Sequence, residues 1–148
     1  AYWKISETHF GIFSENNTPI LKSRYLFGDP DIGDVIVFTY PKDPNRHFIK
    51  RVIGKEGNSI HINDGEVFLN GVLLDEPYLD PSLTDSSNWG PNVVGIGEYF
   101  VLGDNRRASN DSRTWGTISA EHIIGKYLGR YPSSVCSLSP ITQETYDN

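Results

Sequence analysis

Hydrophobic positions along the chain fall in short runs rather than in long helical stripes. Asp34 to Tyr40 is β-branched and aromatic, bounded by Gly33 and Pro41, and predicts a strand. His47 to Ile53 predicts a second strand, closed by Gly54. Ser59 to Asn63 and Glu66 to Leu69 flank Asp64-Gly65, a pair that tolerates the positive φ values of a type I′ hairpin turn. Asn70-Gly71 supplies another turn before Val72 to Leu74, and Glu98 to Leu102 is a further strand. Residues 78–97 are rich in Pro, Ser, Asp, Asn and Gly and predict a loop. Ser119 to Ile124 predicts one short helix, with Ser119 as N-cap and Glu121 in the first turn. No repeat recurs, and the last dozen residues are polar and expected to fray.

These elements predict a mainly β fold, an antiparallel sheet or barrel-like core with a small hairpin extension. The core is assigned to residues 1–58 and 98–135, the extension to 59–97 and a polar tail to 136–148. With 37% apolar and 12% aromatic residues, the chain can bury a real core. The net charge of −6 argues against a nucleic-acid partner, whose binders carry a basic footprint. Cys136 is the single cysteine, which excludes an intrachain disulfide and a multi-cysteine zinc site. His9, His47, His61 and His122 have no ligand-like spacing, so no metal is expected. No apolar run approaches the roughly 18 residues of a membrane-spanning helix. The chain starts with Ala and contains no Met, from which the expectation is that an anchor or targeting segment has been removed.

Two segments carry candidate chemistry. In Gly103 to Arg113, nine of eleven residues are charged or bear a hydroxyl or amide, directly after an apolar strand. A polar turn needs no such alternation of Asp, Ser and Arg; a site requiring fixed dipoles and a base held in place does. In the strand through Lys50 and Arg51, the two cations point to opposite faces between Ile49 and Val52. At least one of them therefore lies against a packed face. A lysine pressed on apolar surface loses solvation of its charged form, and its pKa falls. A fall from about 10.4 to about 8 corresponds to roughly 3 kcal/mol. The alternative is a snorkelling lysine with its amine in water.

Gly33 to Phe38, Phe48 to Gly57 and Val101 to Arg113 resemble, in order, three boxes of the type I signal peptidases. The G-D-N-R-x-x-S-x-D-S-R pattern is complete from Gly103 to Arg113, and the likeness runs over residues 14–132. The resemblance implies a serine endopeptidase that removes signal peptides from secreted preproteins with a Ser/Lys dyad and no cofactor. It makes Lys50 the general base and Ser109 the hydroxyl that orients its amine, at about 3.2 Å or less. It pairs Arg51 with Asp104, and Asp111 with Arg113, as supports. The implied partner is an extended signal-peptide segment with small residues before the cut. The implied setting is the extracytoplasmic face of a plasma or thylakoid-type membrane, with membrane association in the full-length protein.

The family's first box, S-x-S-M-x-P-T-L, aligns best with Ser14-Glu15-Asn16-Asn17-Thr18-Pro19-Ile20-Leu21. Ser14 then matches the oxyanion-hole serine, while Asn16 stands at the nucleophile position and Asn17 replaces the Met. A rival register places Ser6-Glu7-Thr8 on S-x-S and offers Thr8 as nucleophile, but it loses the Pro and Leu. In the preferred register the chain is expected to be inactive, either as a natural non-catalytic homologue that binds peptides or assists assembly of secreted proteins, or because the site was altered. Intact Lys50 and Ser109 favour recent loss or engineering. Two other classes compete. A self-cleaving repressor hydrolase would carry an N-terminal DNA-binding helical domain, which the short polar start does not offer. A plain β-barrel binding module has no reason to bury Lys50 beside Ser109.

Overall fold

The computed structural model describes residues 28–127, together with the backbone of 146–147. The fold is mainly antiparallel β. In chain order the strands are β1 (Val35–Thr39), β2 (His47–Lys55), β3 (Ser59–Asn63), β4 (Glu66–Leu69), β5 (Val72–Leu73), β6 (Trp89–Val93), β7 (Glu98–Leu102), β8 (Ile118–Ser119), β9 (Ile123–Lys126) and β10 (Tyr146–Asp147). One helix of four residues, α1 (Ser112–Trp115), follows the Gly103 to Arg113 segment. The larger sheet runs β8-β7-β2-β1-β9, with β10 also on β2, and the smaller runs β5-β4-β3-β6.

Strand β2 organises both layers. Its first half pairs with β1 (Thr39 with His47, Val35 with Arg51) and its second half with β7 (Arg51 with Leu102, Lys55 with Tyr99). Strand alternation sends Phe48 and Val52 into a cluster with Ile36, Phe38, Tyr99, Val101, Ile118 and Ile123. Past a register shift between Val52 and Gly54, Ile53 joins Phe100 and Leu102 in a second cluster with Ile60, Ile62, Val67 and Val94. The small sheet thus packs on the far end of β2 and β7. Gly54 does not close β2, which continues to Lys55. A Cβ at Gly54 would lie 2.6 Å from Ile60 Cδ1, so the glycine permits close approach of the two sheets rather than ending a strand.

Two expected elements are corrected. Residues 78–97 are not all loop, since they contain a 3-10 turn at Pro81–Leu83 and the strand β6. Pro91 disguises β6, yet β6 lies at the end of its sheet, where a missing N–H is tolerated. The expected helix over 119–124 is a 3-10 turn at Ala120–His122 followed by β9, and Ser119 makes no side-chain cap. Within the segment expected to fray, Tyr146 and Asp147 pair in parallel with His47 and Phe48.

Both hairpin turns take left-handed backbone, with φ of 49° and 80° at Asp64 and Gly65, and 54° and 81° at Asn70 and Gly71. Their surroundings differ. A Cβ at Gly65 would overlap the Asp85 carbonyl, whereas nothing lies within 4 Å of one at Gly71. Gly71→Ala should cost only left-handed strain, about 1–2 kcal/mol. Gly65→Ala should cost clearly more, because backbone must move as well. Urea unfolding of both variants checks the order, and equal losses would contradict it.

Candidate active site

Lys50 occupies the place between Phe48 and Val52 where strand alternation would put a hydrophobe, and it is 2% exposed. Its Nζ lies 5.6 Å from the centre of the Phe48 ring. The cation pressed on the packed face is therefore Lys50. Arg51, on the other face of β2, is partly open and donates twice to Asp104, Nε to Oδ1 at 2.9 Å and Nη2 to Oδ2 at 2.6 Å. Its Nη1 donates to the Gly33 carbonyl at 2.7 Å. The Asp104 hydrogen bonds, more than its charge, hold Arg51 above the ordinary guanidinium pKa, and burial opposes them.

Gly103, at the end of β7, is where the segments meet. A Cβ there would overlap the Ser109 hydroxyl, lie 2.6 Å from Ser109 Cβ and lie 3.5 Å from Lys50 Nζ. Only glycine lets backbone, hydroxyl and amine approach so closely. The Ser109 hydroxyl is buried and makes no hydrogen bond, so the direct Lys50–Ser109 bond expected from the sequence is not formed. The two groups are gathered about Gly103 without a hydrogen bond at the serine hydroxyl. A cleft of about 280 Å³ opens beside Lys50 and Gly103, lined also by Val35, Ile49, Arg51, Leu83, Asp104 and Asn105.

Gly103 is fixed at both backbone groups. Its N–H donates to Asp111 Oδ2 at 3.2 Å, and its carbonyl accepts from Arg106 Nε at 3.1 Å. Asp111 is fully buried, caps α1 through the Arg113 N–H, and accepts from Arg113 Nε and Nη2 at 2.9 Å each. Ser112, also fully buried, accepts from the Val101 N–H at 2.9 Å and locks α1 onto β7. A carboxylate and four backbone or guanidinium donors thus freeze the turn from Gly103 to Arg113.

Part of the network was not foreseen. Arg106, 3% exposed, donates to both oxygens of Glu76 at 2.5 and 3.1 Å. Tyr78 hydroxyl donates to Glu76 Oε1 at 2.7 Å, and the Tyr78 ring lies 3.8 Å from the Arg51 guanidinium. Arg113 reaches Asp85 at 2.6 Å and Ser87 Oγ at 3.1 Å. No local pattern in the sequence signals these pairs, because they join segments some 30 positions apart. Ser14, Asn16 and the rival Thr8 lie outside the described residues. Among the described residues no cluster of His, Cys, Asp or Glu is suited to a metal.

The family model of signal peptidase, peptidase S26, matches residues 13–131. The chain belongs to the signal peptidase family. Signal peptidase IB of Staphylococcus aureus is 34% identical over 86% of this chain and 79% of its own length. A probable signal peptidase I-2 of Synechocystis is 38% identical over 76% of this chain and 53% of its own length. Thylakoidal processing peptidase 1 of Arabidopsis thaliana is 36% identical, over 77% and 36%. The crystal structure of a signal peptidase I from Enterococcus faecalis superposes with a TM-score of 0.58 at 29% identity, covering 67% of this chain and 97% of that one. The chain spans about half the length of the relatives from Synechocystis and Leptolyngbya laminosa, 53% to 59%.

The Asp85 ion pair gives a pH signature. Burial raises the Asp85 pKa, but hydrogen bonds from Ser87 and the charge of Arg113 outweigh it and hold the carboxyl below the ordinary range. A depressed carboxyl stabilises the fold above its unfolded pKa of about 3.9 and loses that contribution as pH falls toward the folded value. Asp85→Asn should therefore lower the melting temperature at pH 7 and shrink its drop between about pH 5 and pH 3. Parallel melting curves for both proteins across that range would speak against the pair.

Proposed function

We propose that this chain carries the catalytic apparatus of a signal-peptide-removing endopeptidase of the Ser/Lys type, with Lys50 as general base. The observation that carries this reading is a lysine amine 2% exposed within a packed strand face, gathered with a buried serine hydroxyl about one glycine. Desolvation favours the neutral amine, the form that can take a proton. Lys50 would deprotonate the attacking hydroxyl, return the proton to the leaving amine, and then activate water against the acyl intermediate. The unbonded Ser109 hydroxyl supports the role of orienting that amine, since catalytic hydrogen bonds commonly tighten only around substrate. Arg51 with Asp104 and Asp111 with Arg113 act as supports, and Ser14 with its neighbouring amide would stabilise the oxyanion.

The substrate in this reading is an extended peptide of a secreted preprotein, with small residues at the first and third positions before the cut. A peptide added beside a strand presents alternate side chains to shallow pockets, and bulky ones are rejected sterically. The full-length protein would act at the extracytoplasmic face of a plasma or thylakoid-type membrane. Among the described residues no helix is long and apolar enough to cross a membrane.

A second reading rests on Asn16. With an amide at the nucleophile position the chain is a non-catalytic homologue that binds peptides or assists assembly of secreted proteins. A preprotein cleavage assay on the unaltered chain and on Asn16→Ser separates the two. The unaltered chain should give no measurable cleavage, because losing a nucleophile costs on the order of 10⁶ in rate. Asn17 and Ile20 also depart from the family's box, so a single serine restores cleavage only if they are tolerated. Robust cleavage by the unaltered chain would contradict the register and point to Thr8 or Ser14. Labelling by a serine-directed inhibitor and peptide mapping would then identify which.

A further inference from the structure

Three of the four arginines in the segments Phe48 to Gly57 and Val101 to Arg113 share a feature that support of the Lys50 site alone does not require. Each engages the same short segment of the small-sheet extension: Arg51 lies on the Tyr78 ring, Arg106 grips Glu76, and Arg113 grips Asp85. Arg107 adds a contact to the Ser82 carbonyl at 3.2 Å. Leu83, from that segment, lines the cleft beside Lys50 and Gly103. A hairpin serving only as an appendage would need none of this.

We infer that Glu76 and Tyr78 are positioning residues for the Lys50 site. The path is short and made of rigid parts. Tyr78 covers the face of the Arg51 guanidinium, whose edge is taken up by Asp104 and the Gly33 carbonyl. Desolvating one side of a guanidinium strengthens its bidentate grip on the carboxylate. Asp104 adjoins Gly103, the residue that abuts both Ser109 and Lys50. Glu76 acts from the opposite side: it fixes Arg106, whose Nε holds the Gly103 carbonyl. The Tyr78 hydroxyl ties the two arms together by donating to Glu76. Held from both arms, the turn at Gly103 lies over the lysine amine and excludes water from it.

Burial and the bond to Glu76 also keep the Tyr78 phenol protonated far above the working range, so the clamp does not loosen at neutral pH. Among the described residues, the charged groups arranged about Gly103 and the amine include Arg51 and Asp104 in the cleft, Asp111 and Arg113 behind the Gly103 N–H, and Arg106 with Glu76 behind its carbonyl. None of these carboxylates or guanidiniums needs to titrate for the clamp to act. Its effect on Lys50 is through access of water.

The inference rests on Lys50 being the base, and its test separates the two claims without requiring cleavage. Competitive acetylation of the 148-residue chain across pH, with the Lys50 peptide quantified by mass spectrometry, gives the midpoint at which the amine becomes neutral. Tyr78→Leu and Glu76→Gln should each move that midpoint up by about one unit, a roughly tenfold loss of neutral amine at a fixed lower pH. Tyr78→Phe, which keeps the ring, should restore most of the shift. Should Tyr78→Leu fail to fold, Glu76→Gln, nearly isosteric, carries the same test. An unaltered midpoint in the folded variants, with the parent's midpoint low, overturns the inference and leaves the base assignment standing. A parent midpoint at the ordinary lysine value overturns the base assignment, and the inference with it.

Discussion

Removing a lysine amine from water is the constraint around which this structure is arranged. An ammonium buried without full compensation costs several kcal/mol, and proteins avoid it or let the group lose its proton. Here the alternation of β2 places Lys50 between Phe48 and Val52, buried and beside the Phe48 ring of the core cluster. Within the sheet β2 is paired with β1 along one half and with β7 along the other, so the strand that carries Lys50 is held on both edges. The position is then sealed by Gly103, where any larger residue would collide with Ser109.

The surrounding charges are best understood as geometry rather than as sources of stability. Buried ion pairs seldom repay their desolvation, but they fix one arrangement when the fork of an arginine meets a carboxylate. Arg106 with Glu76 and Arg113 with Asp111 are of this kind, each nearly out of solvent. They hold a turn of mostly non-regular backbone, from Gly103 to Asp111, in one arrangement, while Arg51 with Asp104 ties it to a strand more than fifty positions earlier. Fixed supporting groups of this kind are what the proposed general-base role of Lys50 would require.

The legible part of the fold was the part written in local pattern. The β-branched and aromatic run in 34–40, the apolar run in 98–102, and the Asp-Gly and Asn-Gly pairs give β1, β7 and both hairpin turns directly. Strand β6 was hidden by Gly90 and Pro91, because propensity cannot tell a loop from an edge strand whose partner lies elsewhere. The stretch at 119–126 looked helical from its capping residues, yet pairing of β9 with β1 decided it. At the site, the Gly103 to Arg113 motif and the opposed faces of Lys50 and Arg51 were readable. Glu76, Tyr78 and Asp85 were not, since their partners are set by how the small sheet docks, and the Lys50–Ser109 hydrogen bond was expected and is absent.

A single titration bears most directly on the claim that Lys50 is held dry and neutral. Selective carbon-13 labelling of lysine, with Lys50 assigned by its absence in Lys50→Met, lets its ε-methylene shift be followed by NMR from about pH 6 to 11. The account predicts a midpoint near or below about 8, roughly two units under an ordinary lysine. A midpoint at about 10 or above would contradict it, because an amine charged at neutral pH cannot act as the base.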